Sequence, residues 1–127
     1  MRGDKIVRKG LAPPLAPYSP GMKAGNTIYV SGTLPMDEKG NLVGEGNVKI
    51  QTRHVLNSIK AVIESAGASM QDVVYNMIFI KDVAFYKELN EVYAEFFPDR
   101  PPARFCIIAD LVKPEFLVEI ASIAYIG

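Results

Sequence analysis

The residues best suited to chemistry lie near the C-terminus. Arg104 and Cys106 open the run PARFCIIADL (102–111), and Glu119 interrupts FLVEIASIAYI (116–126), a segment otherwise without charge. A guanidinium offers planar, paired donors that match a carboxylate. A carboxylate inside an apolar strand is either paired or functional. Arg104 and Glu119 therefore either neutralise each other or flank a small anionic substrate, one as anion clamp and the other as acid/base. Arg104 also fits a third description, a strand-end arginine reaching for solvent. Cys106 taken alone reads as a small buried hydrophobe. Residue types and spacing leave these alternatives open.

Other chemistries find little support. One His (His54) and one Cys cannot build a zinc site, which needs three or four ligands. His54 falls mid-helix in QTRHVLNSI, where a partly solvated polar residue is the ordinary reading. GEG at 44–46 lacks the later glycine and the strand-to-helix setting of a phosphate-binding loop. Lys plus Arg (14) equals Asp plus Glu (14), so the chain has no basic excess to neutralise phosphates, and no nucleic-acid partner is expected. With a single cysteine no internal disulfide forms, in keeping with a reducing cytoplasm. MRGDKIVRKG lacks the apolar run of a signal peptide, and no stretch approaches the ~20 apolar residues of a membrane span. The expected location is cytoplasmic, without membrane association.

These residues need a scaffold to position them. A chain of 127 residues suits one domain, residues 1–127, with a core of its own. DKIVRK (4–9) reads as a short edge strand. GLAPPLAPYSPG (10–21) holds four of the nine prolines and reads as an ordered extended loop carrying Tyr18 and Ser19. NTIYVSGTLPM (26–36) alternates as a strand, and DEKGNLVGEG (37–46) reads as a turn and hairpin-like loop. Val55, Leu56, Ile59, Val62, Ile63 and Ala66 recur at helical spacing, with Gly67 as the stop. VVYNMIFIKD (73–82) is a buried type of strand. Asp82 is placed to cap a second helix, VAFYKELNEVYAEFF (83–97), ended by Pro98. ARFCIIADL and FLVEIASIAYI supply the last two strands. The order β-β-α-β-α-β-β implies an α+β fold with two helices on one face of a mixed sheet. Strands apolar on both sides leave the other sheet face to be covered by further copies of the chain.

APYSP (16–20), YVSGT (29–33), NEVYAEFF (90–97), PARFC (102–106) and VEIASIA (118–124) together resemble the RidA/YjgF family, in order and over nearly the whole chain. QTRHVL, YAEFFP, PARFCI and LVKPEFLVEIA are most similar to its aminoacrylate-deaminase branch. LVKP in place of LPK, and Phe105 rather than a small residue after the arginine, favour that branch over the generalist imine deaminases. The resemblance implies a chorismate-mutase-like homotrimer with clefts between subunits and no metal or organic cofactor. It implies hydrolysis of a small anionic enamine, 3-aminoacrylate, to malonic semialdehyde and ammonia in pyrimidine degradation. The rivals are a generalist deaminase of 2-iminoacids such as 2-iminopropionate, a non-enzymatic binder of small carboxylates, and a ribonuclease, which the charge balance disfavours. By the resemblance, Arg104, Glu119 and Tyr18 take the catalytic positions, with Arg104 on the substrate carboxylate. Cys106, Ser31, Gly32 and Asn90 line the substrate.

Overall fold

The computed structural model describes residues 3–6 and 13–127. Six strands form one sheet: β1 (Asp4–Ile6), β2 (Gly21–Ala24), β3 (Thr27–Thr33), β4 (Val73–Ile80), β5 (Ala103–Ile108) and β6 (Val118–Tyr125), in the order β1-β2-β3-β6-β4-β5. Neighbours are antiparallel except β4 and β5, which run parallel and are joined through a helix. The helices are α1 (Val48–Ser65) and α2 (Tyr86–Phe96). The α+β class and the mixed sheet follow the sequence reading.

Each helix is delimited by its own sequence. The Asn47 side chain accepts from the Ile50 amide at the start of α1. Gly67, at φ +87°, ends it, with Ala68 N–H bonded to Ile63 O and Gly67 N–H to Glu64 O. Val55, Leu56, Ile59 and Ile63 of α1 are fully buried against Ile28, Ile78 and Ile120 of the sheet, while α2 adds Leu89 and Val92. The second helix begins later than its sequence indicates. Asp82 caps a short 3-10 turn (Val83–Phe85) through the Ala84 amide, and α2 proper starts at Tyr86.

Strand β2 was absent from the sequence reading, which placed Gly21 in the proline loop. It forms a tight hairpin with β3, pairing Ala24 with Thr27 around Gly25-Asn26, and Gly25 adopts φ +58°. The expected first strand is present from Asp4 to Ile6, and its remainder lies outside the described residues. The hairpin-like loop after β3 reduces to one bridge, Met36 to Leu42. That loop is secured from α1. His54 Nε2 donates to Met36 O at 2.6 Å. Fully buried Gln51 donates to the carbonyls of Gly44 and Glu115 and accepts from Leu117 N–H. His54 therefore has a structural task.

The helices occupy one sheet face. The other face carries Tyr29, Tyr125, Phe105 and Ile107, between 37% and 54% exposed, with Phe105 edge-on to Tyr75 and Phe79. Exposed aromatic and aliphatic side chains in one patch mark a surface suited to association.

Candidate active site

Strand alternation sends Arg104 and Cys106 to the helix-covered face, where they register with Asn76 and Ile78 of β4. There the Arg104 guanidinium meets α2. Its Nη2 donates to Asn90 Oδ1 at 2.8 Å and to the Tyr86 hydroxyl at 3.2 Å, and its Cζ lies 4.7 Å from the centre of the Tyr93 ring. Tyr86, Asn90 and Tyr93 come from one stripe of α2, spaced by four and three residues. The Tyr93 hydroxyl accepts from Asn76 Nδ2 at 2.8 Å, and Asn76 Oδ1 accepts from Ser122 Oγ at 2.5 Å. Asn76 and Ser122 are buried, so this polar chain fixes the ring on which the guanidinium rests. Arg104 has no carboxylate partner among the described residues, and its Nη1 is buried without a hydrogen bond. A pocket lined by Ile80, Val83, Tyr86 and the β5 side chains from Arg104 to Ile108 opens beside it.

Glu119 lies on the opposite face, registered with Phe79. Arg104 registers with Asn76, so the two are offset by three residues along β4 and by two strand spacings across it, roughly 10 Å in each direction. Within one chain they cannot form an ion pair, which removes that alternative. Burial pushes the Glu119 carboxyl above its usual range.

Around Glu119 stand Tyr18, Ser31, Gly32, Leu15, Leu34 and Val112, lining a second pocket. The β3–β6 pairing is irregular between Val30 and Thr33, which places Ser31 and Gly32 at the carboxylate. A Cβ on Gly32 would overlap Glu119 Oε2, so the missing side chain is what admits the carboxylate. Ser31 Oγ donates to Ser19 O at 2.5 Å, and Ser31 N–H to Pro20 O at 3.0 Å, tying the loop that bears Tyr18 to β3.

The seven residues singled out in the sequence thus form two groups. Arg104, Cys106 and Asn90 stand at one pocket, and Glu119, Tyr18, Ser31 and Gly32 at the other. Tyr86 and Tyr93 were missed as partners of Arg104, although their helical spacing with Asn90 was available. Burial pushes the Cys106 thiol upward, with the Arg104 charge opposing it, so the thiol form prevails at neutral pH. Among the described residues no three His, Cys, Asp or Glu side chains gather as metal ligands. Among the described residues no helix is long and apolar enough to cross a membrane.

The chain thus combines a mixed sheet and two helices with the Arg104 guanidinium on one face and the half-buried Glu119 carboxylate on the other. It belongs to the Rid/YjgF family, matching the family model described as Endoribonuclease L-PSP over residues 9–126. It is 51% identical over 126 residues to the 3-aminoacrylate deaminase RutC of Acinetobacter baylyi, covering 99% of this chain and 100% of that one. Among solved structures, RidA from the Antarctic bacterium Psychrobacter sp. superposes with a TM-score of 0.90 at 34% identity, covering 97% and 99% of the two chains. The YjgF gene product of E. coli superposes at 0.87 with 28% identity, covering 96% and 98%.

Proposed function

We propose that the protein hydrolyses 3-aminoacrylate to malonic semialdehyde and ammonia, in clefts formed between copies of the chain in a homotrimer. The observation that carries this reading is the Arg104 guanidinium, oriented by Asn90, Tyr86 and Tyr93 yet without an anionic partner among the described residues. The 51% identity to RutC of A. baylyi supports the choice of substrate.

The chemistry assigns each group a task. Protonation of the enamine at C2 gives the imine, which is electrophilic at C3. Water adds to C3 and forms a carbinolamine. Its C–N bond then breaks, the nitrogen leaves as ammonia, and the aldehyde remains. Arg104 holds the carboxylate throughout. Glu119, whose carboxyl burial holds above its usual range, delivers protons and takes one from the attacking water. Tyr18 covers the substrate from its loop, and Cys106 forms a wall. Ser31 and Gly32 border the reacting carbon, and Asn90 reaches the substrate through the arginine it holds. Most of the acceleration comes from positioning, because such enamines also hydrolyse unaided.

A three-carbon substrate cannot bridge the two groups across a sheet. A second copy must bring its Arg104 edge against the Glu119 face of the first, and the exposed apolar patch around Glu119 suits that contact. In sedimentation, the protein is expected to run at three times the mass of one chain. The family label names an RNA-cleaving activity, but the chain is charge-balanced and its one histidine is engaged with Met36 O.

The reading is tested by ammonia release from freshly generated 3-aminoacrylate and 2-iminopropionate, with spontaneous hydrolysis subtracted. Faster enzymatic turnover of 3-aminoacrylate is the expected result. Preference for 2-iminopropionate would make the protein a generalist, and no release from either substrate would end the deaminase reading. Cys106→Ala should keep most of the activity, since a protonated wall residue is replaced by a smaller one. Complete loss in a folded trimer, with a thioadduct trapped on the wild type, would make Cys106 a nucleophile instead.

A further inference from the structure

Tyr86 holds more chemistry than support of Arg104 requires. A guanidinium can only donate, so in the 3.2 Å contact the phenol oxygen is the acceptor. The hydroxyl hydrogen is then left to donate, and repulsion from the cation turns it away from Arg104. Among the described residues no acceptor takes it. Tyr86 is 44% exposed and lines the same pocket as Arg104 and Cys106. Tyr93 differs: it is 6% exposed, its hydroxyl is engaged by Asn76, and its ring face carries the guanidinium. One tyrosine is a floor for the arginine, while the other stands beside it with an uncommitted donor.

We propose that the Tyr86 hydroxyl is a second donor to the substrate carboxylate, acting beside the Arg104 guanidinium, so that the two together select a carboxylate over its neutral amide. This rests on the carboxylate-clamp reading of Arg104. One carboxylate oxygen takes the guanidinium N–H and the other takes the phenol O–H, a geometry that a neutral amide matches poorly because its NH₂, itself a donor, must face one of the two donors. Arg104 keeps its Asn90 bond and its Tyr93 stacking without the phenol, so loss of the hydroxyl removes a donor and leaves the clamp in place.

The experiment compares Tyr86→Phe with the wild type by titrating propanoate and propanamide, followed by ligand-observed NMR on the full chain. Propanoate affinity should fall about tenfold or more, the usual effect of losing a hydrogen bond to a charged group. Propanamide should bind both proteins weakly and alike. The melting temperature and the Arg104 Nε–H resonance should stay near their wild-type values. Equal propanoate affinity in the two proteins, or no saturable propanoate binding by the wild type, would overturn the assignment. Loss of affinity together with a displaced or broadened Arg104 resonance would also overturn it, by reducing Tyr86 to a positioning residue. The deaminase reading fails separately. If the wild type shows this carboxylate selectivity but releases no ammonia, the reaction is wrong and the donor pair stands. If it releases ammonia while Tyr86→Phe binds propanoate normally, only the donor falls.

Discussion

Arg104→Ala is expected to lower kcat/KM for 3-aminoacrylate by tens- to thousands-fold while the chain stays folded and assembled. Removing the charged partner of a buried carboxylate costs about 2–5 kcal/mol, which corresponds to that range of rates. Stability should change much less. Among the described residues Arg104 neutralises no carboxylate, and its removal forfeits the stacking on Tyr93 and hydrogen bonds to the part-exposed Asn90 and Tyr86. A loss of about 1–2 kcal/mol follows from contacts of this kind. Arg104→Lys keeps the charge but not the planar fork, so it should recover only part of the rate. Melting temperature and deamination rate on the same variants separate the roles. Collapse of the fold in Arg104→Ala would make the residue structural, and undiminished turnover would remove the clamp.

Glu119→Gln should be the other severe variant, slowing turnover by about 10²–10⁴-fold, the usual range for a lost general acid–base group. Its effect on stability should have the opposite sign. Burial raises the Glu119 pKa in the folded chain above its unfolded value. The contribution of this group is therefore most favourable at low pH and is lost as pH rises through the folded pKa. Glutamine never ionises, so near neutral pH the variant should melt at or above the wild-type temperature. The difference should vanish as pH falls toward the ordinary carboxylate range. A variant that loses both activity and stability at neutral pH would show that the ionised carboxylate supports the fold.

Local signals carried much of the fold. Helical spacing from Val55 to Ile63 and the Gly67 stop located α1, and strand alternation put Arg104 and Cys106 on one face. Strand β2 escaped because the prolines before it dominated the reading, although Gly25-Asn26 carried a hairpin signal. The placement of Glu119 was not readable locally. Alternation shows that Glu119 and Ile120 face apart, but which side the helices cover is settled by packing across β3, β6 and β4. Family resemblance named Gly32 as a lining residue, whereas its close approach to the Glu119 carboxylate needed the irregular β3–β6 pairing. Pairing Arg104 with Glu119 is reasonable on charge alone and fails because they lie on opposite faces of the sheet and are offset along and across its strands.

The central claim is that each site takes its arginine from one copy and its glutamate from another. It is tested by unfolding Arg104→Ala and Glu119→Gln together in equal amounts, refolding the mixture, and measuring ammonia release from 3-aminoacrylate. In a closed ring of randomly mixed copies, about a quarter of the sites should pair an intact Arg104 with an intact Glu119. Recovery to about a quarter of wild-type activity, well above either variant refolded alone, is the predicted result. A mixture that assembles into mixed trimers and still shows only the sum of the two residual activities would contradict the account.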